Sequence, residues 1–277
     1  MQTPVTRLYP ATGEQYPLEE LYLQHHLNLK GQPGTPFIYS NFITSLDGRI
    51  ALGSSSSTTH TVPGATVNPR DWRLYQELAG QADLLVTSGR YFRQCLLGEA
   101  QDQLPVGKQT EFSDIRKWRL AQGLREQPDI AILSGSLDIP LTALEPYRQR
   151  RILVITGDAS DETRANALQA AGIEVLCAGS GTVVDGSRMT AELAALGYRS
   201  IYAIAGPEVF YTLLGAKVIN RLYLTIAQQL LGGEDFDTLT RGPLLTPAQG
   251  MSLISLHHDP YAPARAGQLF AVFEPQD

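Results

Sequence analysis

Tyr202-Ala203-Ile204-Ala205-Gly206-Pro207-Glu208-Val209-Phe210 contains the change of pattern that decides how this chain is read. An apolar run reads as a buried strand, stops at Gly206-Pro207, and gives way to helical spacing at Val209, Phe210, Leu213 and Leu214. A strand that ends in glycine and opens a helix leaves free backbone N–H groups at one point, a site suited to an anion such as a phosphate. Gly206 lets the backbone approach a ligand. Pro207 suits the first helical position, where its missing N–H is not needed. The plainer reading is an ordinary tight strand-to-helix connection.

Working outward, strands and helices alternate. Strands are expected at 37–42, 83–87, 129–133, 152–156, 173–176 and 200–205. Helices are expected from Asn68-Pro69-Arg70-Asp71, at 114–125, 162–171, 189–196 and 207–215. Asn68 can cap its helix, Pro69 fits the first position, and Asp71 favours the positive end of the dipole. Ser54 to Thr61 reads as a serine/threonine-rich loop, and 93–127 as irregular apart from its helix. The last three strands, 221–226, 251–256 and 268–273, lack helices between them and predict an antiparallel hairpin at one edge. The fold class is therefore α/β: a mainly parallel sheet, helices on both faces, and an antiparallel C-terminal hairpin. Residues 1–35 read as an N-terminal extension, in which Leu18, Leu21, Leu23 and Leu27 form a short amphipathic helix; 36–277 read as the main domain.

Composition narrows the function. The 277 residues are 43% hydrophobic and 18% charged, with formal net charge -6, an ordinary globular balance. A mildly acidic chain without a Lys/Arg cluster argues against a nucleic-acid surface. No apolar run approaches the roughly 20 residues that span a membrane. The N-terminus has no signal-peptide shape, so a cytoplasmic protein is expected. Cys95 and Cys177 are far apart and read as free thiols, and neither cysteines nor histidines have metal-ligand spacing.

Ligands of such sheets bind outside the carboxyl ends of the strands. Asn41, Thr44, Thr87, Ser88, Ser134, Thr156 and Gly206 all fall there. Thr87 and Ser88 can donate to phosphate, Gly89 permits close approach, and Arg90 can pair with a second phosphate or simply be solvated. Ser134-Gly135 and Thr156-Gly157 are plausible further walls. Thr44 and Ser45 carry neutral donors suited to a ligand or, equally, to capping local backbone. Asp47 sits in an Asp-Gly turn, a common turn pair, or serves a site.

Several distant motifs together resemble one family. Asn41-Phe42-Ile43-Thr44-Ser45-Leu46-Asp47-Gly48-Arg49-Ile50 is similar to the Ser-x-Asp-Gly-Arg/Lys motif of the reductase domain of bacterial riboflavin biosynthesis. Asp83-Leu84-Leu85-Val86-Thr87-Ser88-Gly89-Arg90 resembles its second strand and cofactor loop. Ala203-Ile204-Ala205-Gly206-Pro207-Glu208-Val209-Phe210 resembles its Gly-Gly-Pro motif and the Gly-Gly motif of dihydrofolate reductase. Arg221-Leu222-Tyr223-Leu224-Thr225 resembles the following strand of both groups. The resemblance spans roughly residues 37 to 273.

It implies a dihydrofolate-reductase-like fold, NADPH as cofactor, a small-molecule substrate and a homodimer. The family reaction, 5-amino-6-(5-phosphoribosylamino)uracil reduction, passes hydride to a ribosylamino-pyrimidine. Cofactor contacts then fall on Thr44, Thr87, Ser88, Gly89, Arg90, Ser134, Gly135, Thr156, Gly157, Gly206, Pro207, Glu208 and Val209. Substrate contacts fall on Asn41, Ser45 and Asp47, with Asp47 also the catalytic candidate. The chain departs from the family at the substrate side. Tyr91-Phe92-Arg93-Gln94-Cys95-Leu96-Leu97-Gly98 replaces an acidic stretch, Ile204 replaces a glutamate, and Ala79 stands near a usual arginine. These departures carry two other readings: a non-catalytic nucleotide- or pterin-binding protein that kept the fold, and a purely structural homodimer.

Overall fold

A computed structural model of the chain describes residues 3–11, 13–54, 57–100, 103–262 and 264–276. Along the chain run β1 (Val5–Tyr9), β2 (Gln15–Tyr16), β3 (Phe37–Ser45), β4 (Ala51–Ser54), β5 (Ser57–Thr61), α1 (Pro69–Gly80), β6 (Leu84–Ser88), α2 (Gly89–Leu97) and α3 (Ser113–Ala121). There follow β7 (Asp129–Leu133), α4 (Leu141–Leu144), β8 (Ile152–Thr156), α5 (Glu162–Ala170), β9 (Glu174–Cys177), β10 (Gly179–Ser180), β11 (Val183–Val184) and α6 (Gly186–Ala195). The chain closes with β12 (Ser200–Ala203), α7 (Pro207–Gly215), β13 (Arg221–Ala227), β14 (Phe236–Asp237), β15 (Met251–Asp259) and β16 (Gln268–Pro275).

Eleven strands form the main sheet in the order β2-β1-β15-β16-β13-β3-β12-β6-β7-β8-β9. From β13 to β9 every pairing is parallel. From β2 to β13 every pairing is antiparallel. The central strands are apolar throughout because both faces are covered: all five residues of β7 and of β8 are buried. Side-chain alternation divides β3 and its neighbours between two cores. Tyr39, Tyr202 and Tyr223 face the side that holds α1, with Tyr39 stacked on Tyr202 at 5.0 Å. Ile38, Phe42, Ile201 and Ala203 face the side that holds α6 and α7, where Phe42 meets Phe210 edge-on at 5.1 Å. The expected α/β architecture is therefore the observed one, down to the antiparallel C-terminal strands.

Several boundaries differ from the sequence reading. The Ser54–Thr61 stretch is not a loop where it is described: β4 and β5 pair antiparallel and β14 adds a third strand. The stretch carries no apolar alternation, so the apolar-strand criterion misses it; Ser55 and Ser56 lie outside the described residues. Residues 93–127 begin inside a helix, since α2 runs on from β6 without a break. The expected N-terminal helix is two short 3-10 turns, Leu23–His25 and Leu27–Leu29. All four leucines expected to share its face are buried nonetheless. Each fully buried leucine stabilises by about 1.5–3 kcal/mol, enough to hold a segment with little regular structure.

Polar bolts complete that docking. Glu77 on α1 is fully buried and accepts from the amides of Glu20 at 2.7 Å and Tyr22 at 3.0 Å and from Arg73 Nε at 2.8 Å. One turn on, Gln81 Oε1 accepts from Leu27 N at 2.8 Å and its Nε2 donates to Tyr22 O at 2.8 Å. Arg119 of α3 closes the far end of α1. Its Nη1 donates to the carbonyls of Ala79, Gly80 and Ala82 at 3.1, 2.9 and 2.7 Å, satisfying groups a helix end leaves open.

Candidate active site

The register places the carboxyl ends of β3, β12, β6, β7 and β8 along one edge of the sheet. Asn41, Thr44, Ser45, Asp47, Thr87, Ser88, Gly89, Arg90 and Gly206–Val209 gather on its three central strands. Ser134, Gly135, Thr156 and Gly157 follow on the next two.

Two helices open directly off adjacent strands here, α2 from β6 and α7 from β12, and neither has a side-chain cap. By contrast Asn68, Asp161 and Asp185 cap α1, α5 and α6 with side-chain acceptors. The leading amides of α2 and α7 thus keep free donor capacity on neighbouring strands. A Cβ built on Gly206 meets nothing within 4 Å, so the approach to α7 is open. Pro207 is buried, Glu208 exposed and Val209 partly buried. Arg90 lies in the first turn of α2, where the helix dipole disfavours a cation unless an anion is near. Thr87 is buried and Ser88 partly exposed.

The outer two strand ends are filled differently. A Cβ on Gly135 would lie 2.3 Å from Thr182 O, and one on Gly157 2.3 Å from Gly181 O. Both glycines therefore make room for the β10–β11 hairpin. Thr156 Oγ1 is bonded to Ser160 Oγ, whose oxygen also reaches Gly157 O at 3.1 Å. Packing within the chain accounts for Gly135, Thr156 and Gly157 without a ligand.

Around β3, Ser45 Oγ donates to Asp47 Oδ1 at 2.5 Å, while Asp47 Oδ2 accepts from Gly232 N at 2.7 Å and Leu231 N at 3.2 Å. Arg49 lies 3.5 Å from the same carboxylate. The Ser45 hydroxyl first, then the Gly232 amide, hold the Asp47 carboxyl down to about 2. Asp47 is an acceptor in each contact, an arrangement that disfavours proton delivery and ties the loop after β13 to the turn after β3. We expect Asp47→Ala to speed amide hydrogen exchange at Leu231 and Gly232 by about tenfold or more, with the core strands little changed. Exchange read by NMR checks this. Thr44 Oγ1 donates to Ser45 O at 3.1 Å and faces the α7 side. Asn41 Oδ1 accepts from the Tyr202 hydroxyl on the α1 side.

The sequence reading assigned Asp71 only to the helix dipole. In the structure Asp71 is partly buried, and burial pushes its carboxyl up to about 6, with the Thr225 hydroxyl of β13 opposing. It also acts on the phenols of Tyr22 and Tyr202. Thr225 pairs with Ile43 of β3, just before the Thr44-Ser45 step.

The raised carboxyl has a consequence for stability. Because the folded carboxyl keeps its proton above the ordinary 3.8, its stabilising contribution is complete below that value and lost as pH rises through about 6. Asp71→Asn should therefore be more stable than the wild type at pH above about 6, by about 1–2 kcal/mol after partial exposure is allowed for, and should lose that advantage near pH 4. Denaturant melts across pH measure it.

A parallel sheet with open helix N-termini on its carboxyl edge defines an α/β protein of the kind that takes a ligand at that edge. The family called "RibD C-terminal domain" matches residues 36–260, and the chain belongs to it. A pyrimidine reductase-like protein from Corynebacterium diphtheriae shares the fold at TM-score 0.65 and 19% identity, covering 87% of this chain and 92% of its own. Acinetobacter baumannii RibD aligns at TM-score 0.59 and 15% identity, over 88% of this chain and 58% of its own. Riboflavin Biosynthesis Reductase Rib7 from Saccharomyces cerevisiae aligns at TM-score 0.54 and 14% identity, over 93% and 99%. No curated protein matches the chain by sequence. Among the described residues no helix is long and apolar enough to cross a membrane, and no group of His, Cys, Asp or Glu is placed to hold a metal ion. Cys95 and Cys177 are free.

Proposed function

We propose that the chain is an NADPH-dependent reductase of a ribosylamino-pyrimidine or a similar small heterocycle. The observation that carries this reading is the pair of uncapped helix N-termini, α2 and α7, on adjacent strands, with open space at Gly206. The residues fit the cofactor. The amides of Gly206–Val209 and of Ser88–Arg90 suit a diphosphate, and Arg90 suits the extra phosphate of NADPH. NADPH supplies a hydride and its electron pair when bound. Ser45 and Asn41 stand on the α1 side of the sheet as candidates to orient the substrate, and Asp47 fixes the turn that follows. Family membership supports the reductase chemistry. We place the protein in the cytoplasm as a homodimer, on the family resemblance.

The test is to mix the protein with NADPH and 5-amino-6-(5-phosphoribosylamino)uracil and follow loss of reduced-nicotinamide absorbance. Stoichiometric consumption is expected. NADPH binding without consumption favours the non-catalytic nucleotide-binding reading, which the altered Tyr91–Gly98 stretch motivates.

A further inference from the structure

We infer that Arg241, on the strap between β14 and β15, binds the diphosphate of the nucleotide cofactor from the side of α7. This inference rests on the reductase reading above and adds to its site a residue outside the family motifs quoted.

The strap is laid across the start of α7 by contacts distant in sequence. It leaves the small sheet at Asp237, which pairs with Ala51 of β4 and whose backbone oxygen accepts from Ile50 N at 3.0 Å. Leu239 then packs into the core on the α7 side. The Arg241 amide donates to Pro207 O, in the first turn of α7, at 3.3 Å. Gly242 lies against the same helix one turn below: a Cβ there would stand 2.4 Å from the ring of Tyr211. Glycine permits that close approach, so the place of Arg241 beside the start of α7 is built into the packing.

The Arg241 side chain is little used within the chain. Among the described residues its one polar contact runs from Nη1 to Asp237 Oδ1 at 3.4 Å, and the side chain is 61% exposed. A guanidinium carries five N–H donors in a rigid fork, so most of them remain for a ligand. Its anchor is firm by contrast. Asp237 is buried, and its other carboxylate oxygen lies 2.9 Å from His60 Nδ1 of β5.

The charges are unbalanced without an anion. The start of a helix is the positive end of its dipole and disfavours a cation. No side chain caps α7 there. Glu208, the acidic residue of that first turn, is exposed, and the ion pair of Arg241 goes to Asp237 instead. A diphosphate on the free amides of α7 supplies the missing negative charge and takes charge-assisted hydrogen bonds from the guanidinium. Arg241 also offsets the repulsion between that diphosphate and Glu208. Arg241 thus serves the diphosphate from the α7 side, while Arg90 on α2 serves the extra phosphate of NADPH.

Intact wild type, Arg241→Ala and Arg241→Glu are titrated with NADPH and with NADH by nicotinamide fluorescence, and the unliganded proteins are melted. Both nucleotides carry the diphosphate. Arg241→Ala should therefore weaken both by about tenfold and leave their ratio unchanged. Arg241→Glu, which reverses the charge, should weaken both further. Unliganded melts should match wild type within about 2 °C, because an exposed ion pair contributes little. Wild-type affinity in Arg241→Ala overturns the assignment and leaves the reductase reading standing. A loss confined to NADPH also overturns it, since that result puts Arg241 on the extra phosphate. A fall in Tm that accompanies the loss of affinity overturns it too, by making the strap a folding element. Wild type that binds neither nucleotide sinks the reductase reading itself, and this assignment with it.

Discussion

Gly206→Val should leave the fold intact and weaken NADPH binding by about a hundredfold or more, close to 3 kcal/mol. The reason is local. Gly206 has φ -68° and ψ -174°, ordinary extended backbone, so a valine there is not strained. A Cβ at this position meets no atom within 4 Å, so the protein has room for the added methyls. The space they take is the space in front of the uncapped start of α7. Gly135 and Gly157 behave differently: any side chain there collides with the β10–β11 hairpin, so loss of binding in such variants would be confounded by misfolding. Equal thermal melts and unequal affinities for Gly206→Val against wild type are the expected pair of results. Unchanged affinity would place the cofactor elsewhere.

Glu77→Ala should be the most destabilising single change considered, costing roughly 3–5 kcal/mol in denaturant unfolding. It leaves the amides of Glu20 and Tyr22 without their acceptor and removes one of the carboxylates that hold buried Arg73. Asp114 still pairs with Arg73, which limits the loss. Burial raises the Glu77 carboxyl, with Arg73 opposing, so ionising it is already costly and its hydrogen bonds offset that cost. Glu77→Gln keeps the shape and most acceptors, and should cost about 1–2 kcal/mol. Comparable stability of Glu77→Ala and wild type would mean that the N-terminal segment is held by its leucines alone.

The sequence made the parallel part of the fold legible because its strands are short, mainly apolar and separated by helices with recognisable starts. Asn68-Pro69 marked the start of α1, and the Gly206-Pro207 break marked that of α7; both are where they were expected. What was hidden depends on contacts distant in sequence. β1 and β15 pair across nearly the whole chain, so the N-terminal stretch read as an appendage. The β4–β5 hairpin is polar and carries no apolar alternation. At the site, the Ser45-Asp47 pair was visible as a motif, but its anchoring of Leu231 and Gly232 was not. Asp71 looked like a helix-dipole residue because nothing in its neighbours along the chain announces the burial that raises its carboxyl. Ser134 and Thr156 were found at strand ends as expected, yet a two-stranded hairpin lies over the glycines beside them.

The central claim is that the carboxyl edge around α2 and α7 binds NADPH. The most direct test is titration of the intact protein with NADPH and with NADH, read by nicotinamide fluorescence and thermal shift. Ligand at about a hundred times its Kd should stabilise the native state by about 2.7 kcal/mol and raise Tm accordingly. The account predicts saturable binding with a preference for NADPH that is lost in Arg90→Ala. Absence of binding by either nucleotide would contradict it.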